Sequence, residues 1–217
     1  MIMSQSDIES GRIEATRRKR MSGFSMIELI VVCVVIGILS AISIPYLYNF
    51  KKLYKSEDQA ISVMDLMRET AQLALNRRRT MRLEIDQNMA NPVVRQIDEN
   101  GALPDILIKT IPLEPMREVR MDIIPVGVTI PNPPNYANAA FTAGVWTARF
   151  RSDGSVVNAA NIPISATIYS WPPRAVAYNP SDLTPRQLTE VRAITIFGGS
   201  GAVRYWRHNG TTFLASQ

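Results

Sequence analysis

The chain has 217 residues, of which 46% are apolar and 20% charged, and its formal net charge at pH 7 is +5. This length allows one domain plus a long appendage, and so small a positive charge argues only weakly for a nucleic-acid-binding role. A single cysteine, Cys33, excludes an intramolecular disulfide. With one cysteine and one histidine, His208, the chain lacks the residues of the common zinc sites and of Cys/His nucleophile pairs.

The first feature along the chain is a basic stretch followed by an apolar one. Arg17, Arg18, Lys19 and Arg20 precede residues 24–48, in which Glu28 is the only side chain expected to be charged. About 20 apolar residues suffice for a helix to cross a bilayer core. Because cytoplasmic flanks carry excess lysine and arginine, we predict a cytoplasmic N-terminus and an exported C-terminal part.

Three interpretations of this segment compete. It is a plain single-pass anchor, a secretory signal peptide cut near residues 41–43, or a leader that is cut before the apolar run. Glu28 favours the third, because neither an anchor nor a signal peptide needs a carboxylate there. A charged side chain inside a membrane costs about 2–3 kcal/mol on insertion scales, and such residues usually have a task.

The residues around Glu28 resemble the type IV prepilin signature, which has a glycine before the cut, an aromatic residue after it and a glutamate as the fifth mature residue. The matching sequence is Gly23-Phe24-Ser25-Met26-Ile27-Glu28. The resemblance implies that prepilin peptidase cuts between Gly23 and Phe24 and that Phe24 is then N-methylated. It also implies that Glu28 acts in assembly, paired with the Phe24 amine of an adjacent subunit.

The helical pattern continues beyond the apolar segment. Pro45 falls where pilins commonly have a proline, and we predict a helix kink there because proline lacks a main-chain donor. After Tyr48 the spacing becomes amphipathic and predicts one helix from about Phe24 to about Asn76. Its predicted buried face consists of Ala60, Val63, Met64, Met67, Ala71 and Ala74. Arg77–Arg79 are predicted to cap its C-terminus, where cations complement the helix dipole.

From Met81 onward the apolar period is two, which is typical of β-strands. The predicted strands are Met81–Ile85, Val93–Ile97, Ile106–Ile111, Met121–Ile124, Val126–Ile130, Val145–Phe150, Ile164–Trp171, Ala193–Phe197 and Ala202–Arg207. Residues 152–154 and 198–201 are predicted hairpin connections, and Thr184-Pro185 is predicted to open a short helix.

These elements predict an α+β fold in which a long N-terminal α-helix, membrane-spanning in its first half, packs on an antiparallel β-sheet or sandwich-like C-terminal domain. The predicted organisation has four parts. They are a cleaved leader at 1–23, a transmembrane or filament-core helix at 24–48, its amphipathic continuation at 49–78 and a periplasmic β-rich domain at 79–217.

The C-terminal domain is similar to the minor pseudopilins of type II secretion and the related minor type IV pilins, the GspH/FimT group. The matching residues are Met67, Ala74, Arg77, the strand Met81–Ile85, Phe150–Gly154, Ile194–Ile196 and Gly201–Arg204. Two positions depart from the group: Thr70-Ala71 stands where it often has Ala-Arg, and Ala202 where it often has arginine.

This second resemblance implies a structural subunit of a pseudopilus or type IV pilus. No catalytic set, cofactor site or metal site is visible among the residues, so we expect a non-enzymatic protein. Its implied partners are other pilin subunits, prepilin peptidase and an inner-membrane assembly platform. The implied location is the bacterial inner membrane, crossed once, with the C-terminal domain in the periplasm.

The sequence offers two further candidate binding sites, one for DNA and one for calcium. Arg204, Tyr205, Trp206 and Arg207 combine charge with stacking rings, as a DNA-binding minor pilin of an uptake pilus would, although strand alternation divides them between two faces. The oxygen side chains of residues 98–100 would suit calcium, but such a run before a glycine is more often a solvated turn.

Overall fold

The computed structural model describes residues 25–88, 90–101, 103–175 and 179–215, with the backbone alone described for 45–53. The chain divides into two compact units, Met1–Pro45 and Tyr46–Gln217. A single helix, α1, extends from Met26 to Arg77 and confirms the prediction of one long helix. The predicted domain boundaries after residues 23, 48 and 78 stay predictions.

The described residues after α1 form ten strands and one short 3-10 helix. The strands are β1 Met81–Asp86, β2 Val93–Asp98, β3 Ile106–Pro112, β4 Arg120–Asp122, β5 Val145–Phe150, β6 Val156–Val157, β7 Ala166–Trp171, β8 Arg192–Ile196, β9 Val203–His208 and β10 Phe213–Ala215, with the 3-10 helix at Leu188–Glu190.

The strands form two five-stranded sheets in which every paired strand is antiparallel. Sheet A has the order β3-β2-β1-β5-β6, and sheet B the order β10-β9-β8-β7-β4. The two predicted hairpin connections are confirmed. Between β5 and β6, Arg151 N–H donates to the Ser155 carbonyl at 2.9 Å, and between β8 and β9, Phe197 N–H donates to the Ala202 carbonyl at 2.9 Å. The predicted α+β fold is therefore correct.

The amphipathic part of α1 enters the same hydrophobic core as both sheets. Ala60, Val63 and Met67 are completely buried, and they share this core with Leu83 of β1 and Ile168 of β7. The i, i+3, i+4 spacing of these helix residues places them on one face. One helix face therefore supplies apolar contacts to sheet A and sheet B together.

Buried polar contacts fix the position of α1 against sheet B. The Arg192 side chain is completely buried, and its Nη2 lies 3.2 Å from Oε2 of Glu57 on α1. Ser56 Oγ donates to the Glu190 carbonyl at 3.2 Å, and Ser170 Oγ of β7 donates to the Ser56 carbonyl at 3.2 Å. Because a buried charge without a partner costs several kcal/mol, about 3–5, these contacts favour one register of the helix.

The other face of sheet B is covered by loops rather than by a helix. Its side chains form a second cluster of Tyr169, Trp171, Val191, Ala193 and Trp206, against which Ile124, Val128 and Leu183 pack. Every residue of β7 and of β8 is consequently buried. The predicted strand Val126–Ile130 is wrong: this segment is one of the covering loops, and it turns at Gly127, where φ is +81°.

The remaining differences from the predicted elements involve very short ones. β6 and β10, with two and three residues, went unpredicted because a period of two is not visible over so few positions. The predicted helix at Thr184-Pro185 is wrong, since Pro185 instead forms an isolated bridge with Pro173. The only helical turn near it, in the described part of this region, is the 3-10 helix that begins at Leu188.

The C-terminus of α1 is closed by a Schellman-type turn. Arg78 has a positive φ of 51°, its N–H donates to the Leu75 carbonyl at 3.4 Å, and the Arg79 N–H donates to Ala74 at 3.2 Å. Arg77 Nη1 donates to Oδ2 of the buried Asp98 at 3.1 Å. Main-chain groups of Arg78 and Arg79 thus close the helix, and Arg78 occupies the left-handed position that glycine usually takes. The predicted interaction of these cations with the helix dipole stays a prediction.

Arg78→Gly is expected to stabilise the protein, because glycine adopts a positive φ without the Cβ strain. The gain in free energy of unfolding should be about 0.5–1 kcal/mol after the greater entropy of glycine in the unfolded chain is subtracted. Urea denaturation followed by tryptophan fluorescence measures it. Arg78→Ala is the matched control, since it removes the charge and keeps the Cβ; equal stabilisation by both variants would contradict backbone strain as the cause.

Candidate functional site

The described part of the N-terminal segment is a helix that presents its apolar side chains outward. Met26–Ile44, 19 residues with a mean hydropathy of 2.8, is long and apolar enough to cross a membrane by length and composition, and the described residues bury none of it. Ile42, for example, is 68% exposed. Contiguous apolar patches of this extent are rare on soluble monomers, so the segment is consistent with a single-pass membrane anchor.

Glu28 is the acidic residue in the first turn of α1, and its side chain is exposed. The position suits it, since a carboxylate near a helix N-terminus interacts favourably with the helix dipole. No other described residue forms a hydrogen bond or an ion pair with this carboxylate. A transfer of the helix into an apolar environment would therefore leave a charge that needs an external partner.

The cleavage-site residues and the side chain of the predicted kink residue are not among those that the structure describes. Gly23 and Phe24 fall outside the described residues. The backbone of α1 is helical at Pro45, but the side chains of residues 45–53 are outside the described set, so the predicted kink stays a prediction.

The structure places the C-terminal basic and aromatic residues on β9. Arg204 and Arg207 are exposed, whereas Tyr205 and Trp206 are each only 7% exposed. Tyr205 belongs to the main core, where burial raises its pKa to about 12, and Trp206 belongs to the second cluster. Trp206 Nε1 donates to Thr195 Oγ1 at 2.8 Å. Both rings are thus packed inside the protein. The strand therefore presents the positive charges of Arg204 and Arg207 but no exposed ring on which a base could stack.

The two carboxylates of the candidate calcium site, Asp98 and Glu99, form ion pairs with arginines. Asp98 pairs with Arg77, as described above, and Arg149 Nε donates to Glu99 Oε1 at 2.8 Å. Among the residues that the structure describes, no group of three or more His, Cys, Asp or Glu side chains could hold a metal ion. Residues 98–100 therefore belong to an ion-paired turn at the end of β2.

The residues quoted for the second resemblance come together in the fold. Gly201 has a φ of +65°, and a Cβ added there would lie 3.0 Å from the Gly154 carbonyl and 3.9 Å from the Ala71 Cβ of α1. The Gly198 carbonyl accepts a hydrogen bond from Val156 N–H at 2.8 Å. The two hairpins thus pack on each other and on the helix, so packing explains why small residues stand at these turns.

Arg120 on β4 is a structural residue that the sequence pattern did not single out. Its side chain is 2% exposed, and it pairs with Asp122 at 2.7 Å. Its guanidinium also donates to three main-chain carbonyls of one loop, those of Asn179, Pro180 and Asp182, at 3.0, 3.0 and 2.6 Å. It anchors that loop near the second cluster. A lone arginine in a short strand gives no sequence signal for this role.

His208, at the end of β9, is a buried histidine rather than a ligand. Its Nδ1 accepts a hydrogen bond from Gly210 N–H at 3.1 Å, and the Phe213 ring meets it edge-on at 4.9 Å between centroids. Burial lowers the pKa of His208 below its ordinary value. The histidine is consequently neutral in the folded chain at pH 7.

Comparison with known proteins gives one match, and it lies in the N-terminal segment. Residues 18–44 match the family model described as the prokaryotic N-terminal methylation motif. No curated protein and no solved structure matches the chain. The matched residues include both sides of the Gly23–Phe24 bond, Glu28 and the exposed apolar helix, so the candidate functional site is this segment.

The free energy of unfolding should fall as the pH drops below about 6.5, because His208 binds its proton at a higher pH in the unfolded chain than in the folded one. A lowered folded-state pKa contributes stability above the unfolded pKa, and this contribution is lost as the pH falls through the folded pKa. Urea midpoints measured from pH 7.5 to about 5.5 test this. His208→Gln should flatten the slope, since the chain has no second histidine; an unchanged slope would contradict the assignment.

Proposed function

We propose that this chain, a type IV pilin-like protein, is a minor structural subunit of a type II secretion pseudopilus or a type IV pilus and assembles after cleavage by prepilin peptidase. The observation that carries the proposal is the methylation motif at residues 18–44, which indicates a pilin or pseudopilin. The similarity of the β-rich domain to the GspH/FimT group supports a minor subunit. The outward-facing apolar helix supports assembly through helix packing.

Cleavage prepares the N-terminus for this role. Glycine at position 23 has no side chain, so the backbone before the scissile bond can enter a narrow protease site. Hydrolysis of the Gly23–Phe24 bond releases an amine on Phe24, and N-methylation keeps its positive charge. The mature chain then begins with a cation and carries Glu28 four residues later.

The Phe24 amine and the Glu28 carboxylate would neutralise each other between adjacent subunits. Inside a bundle of apolar helices, an unpaired carboxylate is strongly destabilising, and a nearby cation relieves most of that penalty. Four helical residues rise about 6 Å, so a neighbouring helix displaced by that distance along the axis brings its amine level with Glu28. The ion pair would therefore favour one axial register between subunits.

The proposed location and partners follow from the same segment. The basic stretch before residue 24 supports a cytoplasmic N-terminus, a single crossing of the inner membrane and a periplasmic β-rich domain. The proposed partners are other pilin subunits, prepilin peptidase and an inner-membrane assembly platform. A role in DNA capture draws no support from the buried rings of Tyr205 and Trp206.

The first test is the N-terminus of the mature protein. Co-expression of the full chain with a prepilin peptidase should yield a product that begins with N-methylated Phe24, as detected by mass spectrometry of the N-terminal peptide. Gly23→Leu should block cleavage, because its side chain does not fit beside the scissile bond, whereas the control Ser22→Ala should be cleaved. An intact leader in the wild-type chain, or a start near Ile44, would overturn the proposal.

The second test separates cleavage from assembly. Glu28→Gln keeps the shape of the side chain and removes its charge, so the leader should be cut at the normal rate. Incorporation into sheared filaments or a cross-linked pseudopilus should fall at least about tenfold, since each Phe24 amine then lacks its partner. Ser25→Ala serves as the control for a polar change in the same turn. Assembly of Glu28→Gln at the wild-type level would refute the pairing.

A further inference from the structure

A pocket of about 540 Å³ lies in the β-rich unit, at the first residues of β5. It is bordered by β5, by the segment 137–142 and by the connection 158–166 between β6 and β7. Ligand-binding pockets have volumes of about 300–1,000 Å³, so this one is large enough to hold more than one side chain. Neither the methylation motif nor the proposed assembly contacts use it.

The lining of the pocket carries no charge among the described residues. Alanine, threonine, asparagine, serine, valine, isoleucine and tryptophan residues line it. Trp146, which is 3% exposed and part of the main core, closes it on the inner side, and the half-buried Ile164 is its largest more exposed apolar residue. The chain as a whole is 20% charged, and the outer face of sheet A is crossed by ion pairs of Arg82, Arg95 and Arg149. A charged ligand would lose its hydration here without gaining a counter-charge, so the pocket selects a neutral one.

Asn138 offers hydrogen-bonding groups that the described chain does not use. Its Oδ1 is buried and has no hydrogen-bond partner. The segment pairs in parallel with β7 through its neighbours: Ala139 N–H donates to the Thr167 carbonyl at 2.9 Å, and Thr167 N–H donates to Ala137 at 2.8 Å. In such a bridge the main-chain N–H and C=O of the middle residue, Asn138, point away from β7. They form a short free edge beside the pocket.

We infer that this pocket and the free main-chain N–H and C=O of Asn138 form a docking site for an extended, uncharged peptide segment of a partner protein. The peptide main chain would pair with Asn138 as an added strand, and an apolar side chain would enter the pocket beside Trp146. The inference goes beyond the proposed function, because it requires neither leader cleavage nor the Glu28 pair.

The site can be tested with the full chain in detergent micelles, labelled with ¹⁵N at its three tryptophan indoles. Trp146 lines the pocket, whereas Trp171 and Trp206 lie in the second cluster and serve as internal references. The probe is an equimolar pool of acetylated, amidated hexapeptides built from uncharged residues. It should shift the Trp146 signal and leave the other two unchanged. A second pool with a central lysine or glutamate should bind about tenfold more weakly.

Matched variants distinguish the pocket from general peptide adhesion. Ala160 is exposed at the rim of the pocket, so Ala160→Arg places a cation there without disturbing the core and should abolish the shift. Ala202→Arg makes the same change at an exposed position of the β8–β9 hairpin and should bind as the wild type does. Any of three outcomes would overturn the inference: no Trp146 shift at millimolar peptide, equal binding of charged and uncharged peptides, or a Trp146 shift with methyl glycosides, which are uncharged but have no peptide main chain, and none with the peptides. None of these outcomes depends on cleavage at Gly23.

Discussion

One face of α1 supplies the core to which both sheets of the β-rich unit are attached. Ala60, Val63 and Met67 are completely buried, and sheet A and sheet B contribute to the same cluster. Without this face, each sheet would expose an apolar surface that the other does not cover by itself. The helix is therefore the common support of the unit, and the β8–β9 hairpin packs on it where Gly201 lies close to Ala71. The buried Arg192–Glu57 contact makes that register specific, because a slip would leave a charge unpaired.

The N-terminal part of the same helix meets a different constraint. Its apolar residues, Met26–Ile44, are not buried by any part of the chain that the structure describes. They carry Glu28, a group that is expensive to bury, so the segment is suited to an environment that is apolar overall and provides one cation. The methylation motif supplies that cation through cleavage at Phe24 in the proposed function. Leader removal would then be a precondition for assembly as well as a trimming step.

Loops rather than regular elements complete the outer face of sheet B. Arg120 holds one of them by three main-chain carbonyls, and the segment around Val128 packs on the second cluster. A similar loop, 137–142, borders the uncharged pocket that we infer to be a peptide-docking site. The β-rich unit thus combines a rigid core with edges at which short segments of chain, its own or a partner's, complete the sheets.

The sequence by itself determined the elements whose signal is local. The prepilin-like motif is a contiguous string of residues, and the apolar segment is visible from its composition. The amphipathic face of α1 and most strands are visible because periods of 3.6 and 2 repeat over enough residues. Tertiary structure alone decided which side chains share an environment. It buried Tyr205 and Trp206 in two different clusters, turned the predicted strand Val126–Ile130 into a covering loop, and paired Asn138 with Thr167 of β7. These outcomes depend on contacts between residues far apart in the chain, and no local period records such contacts.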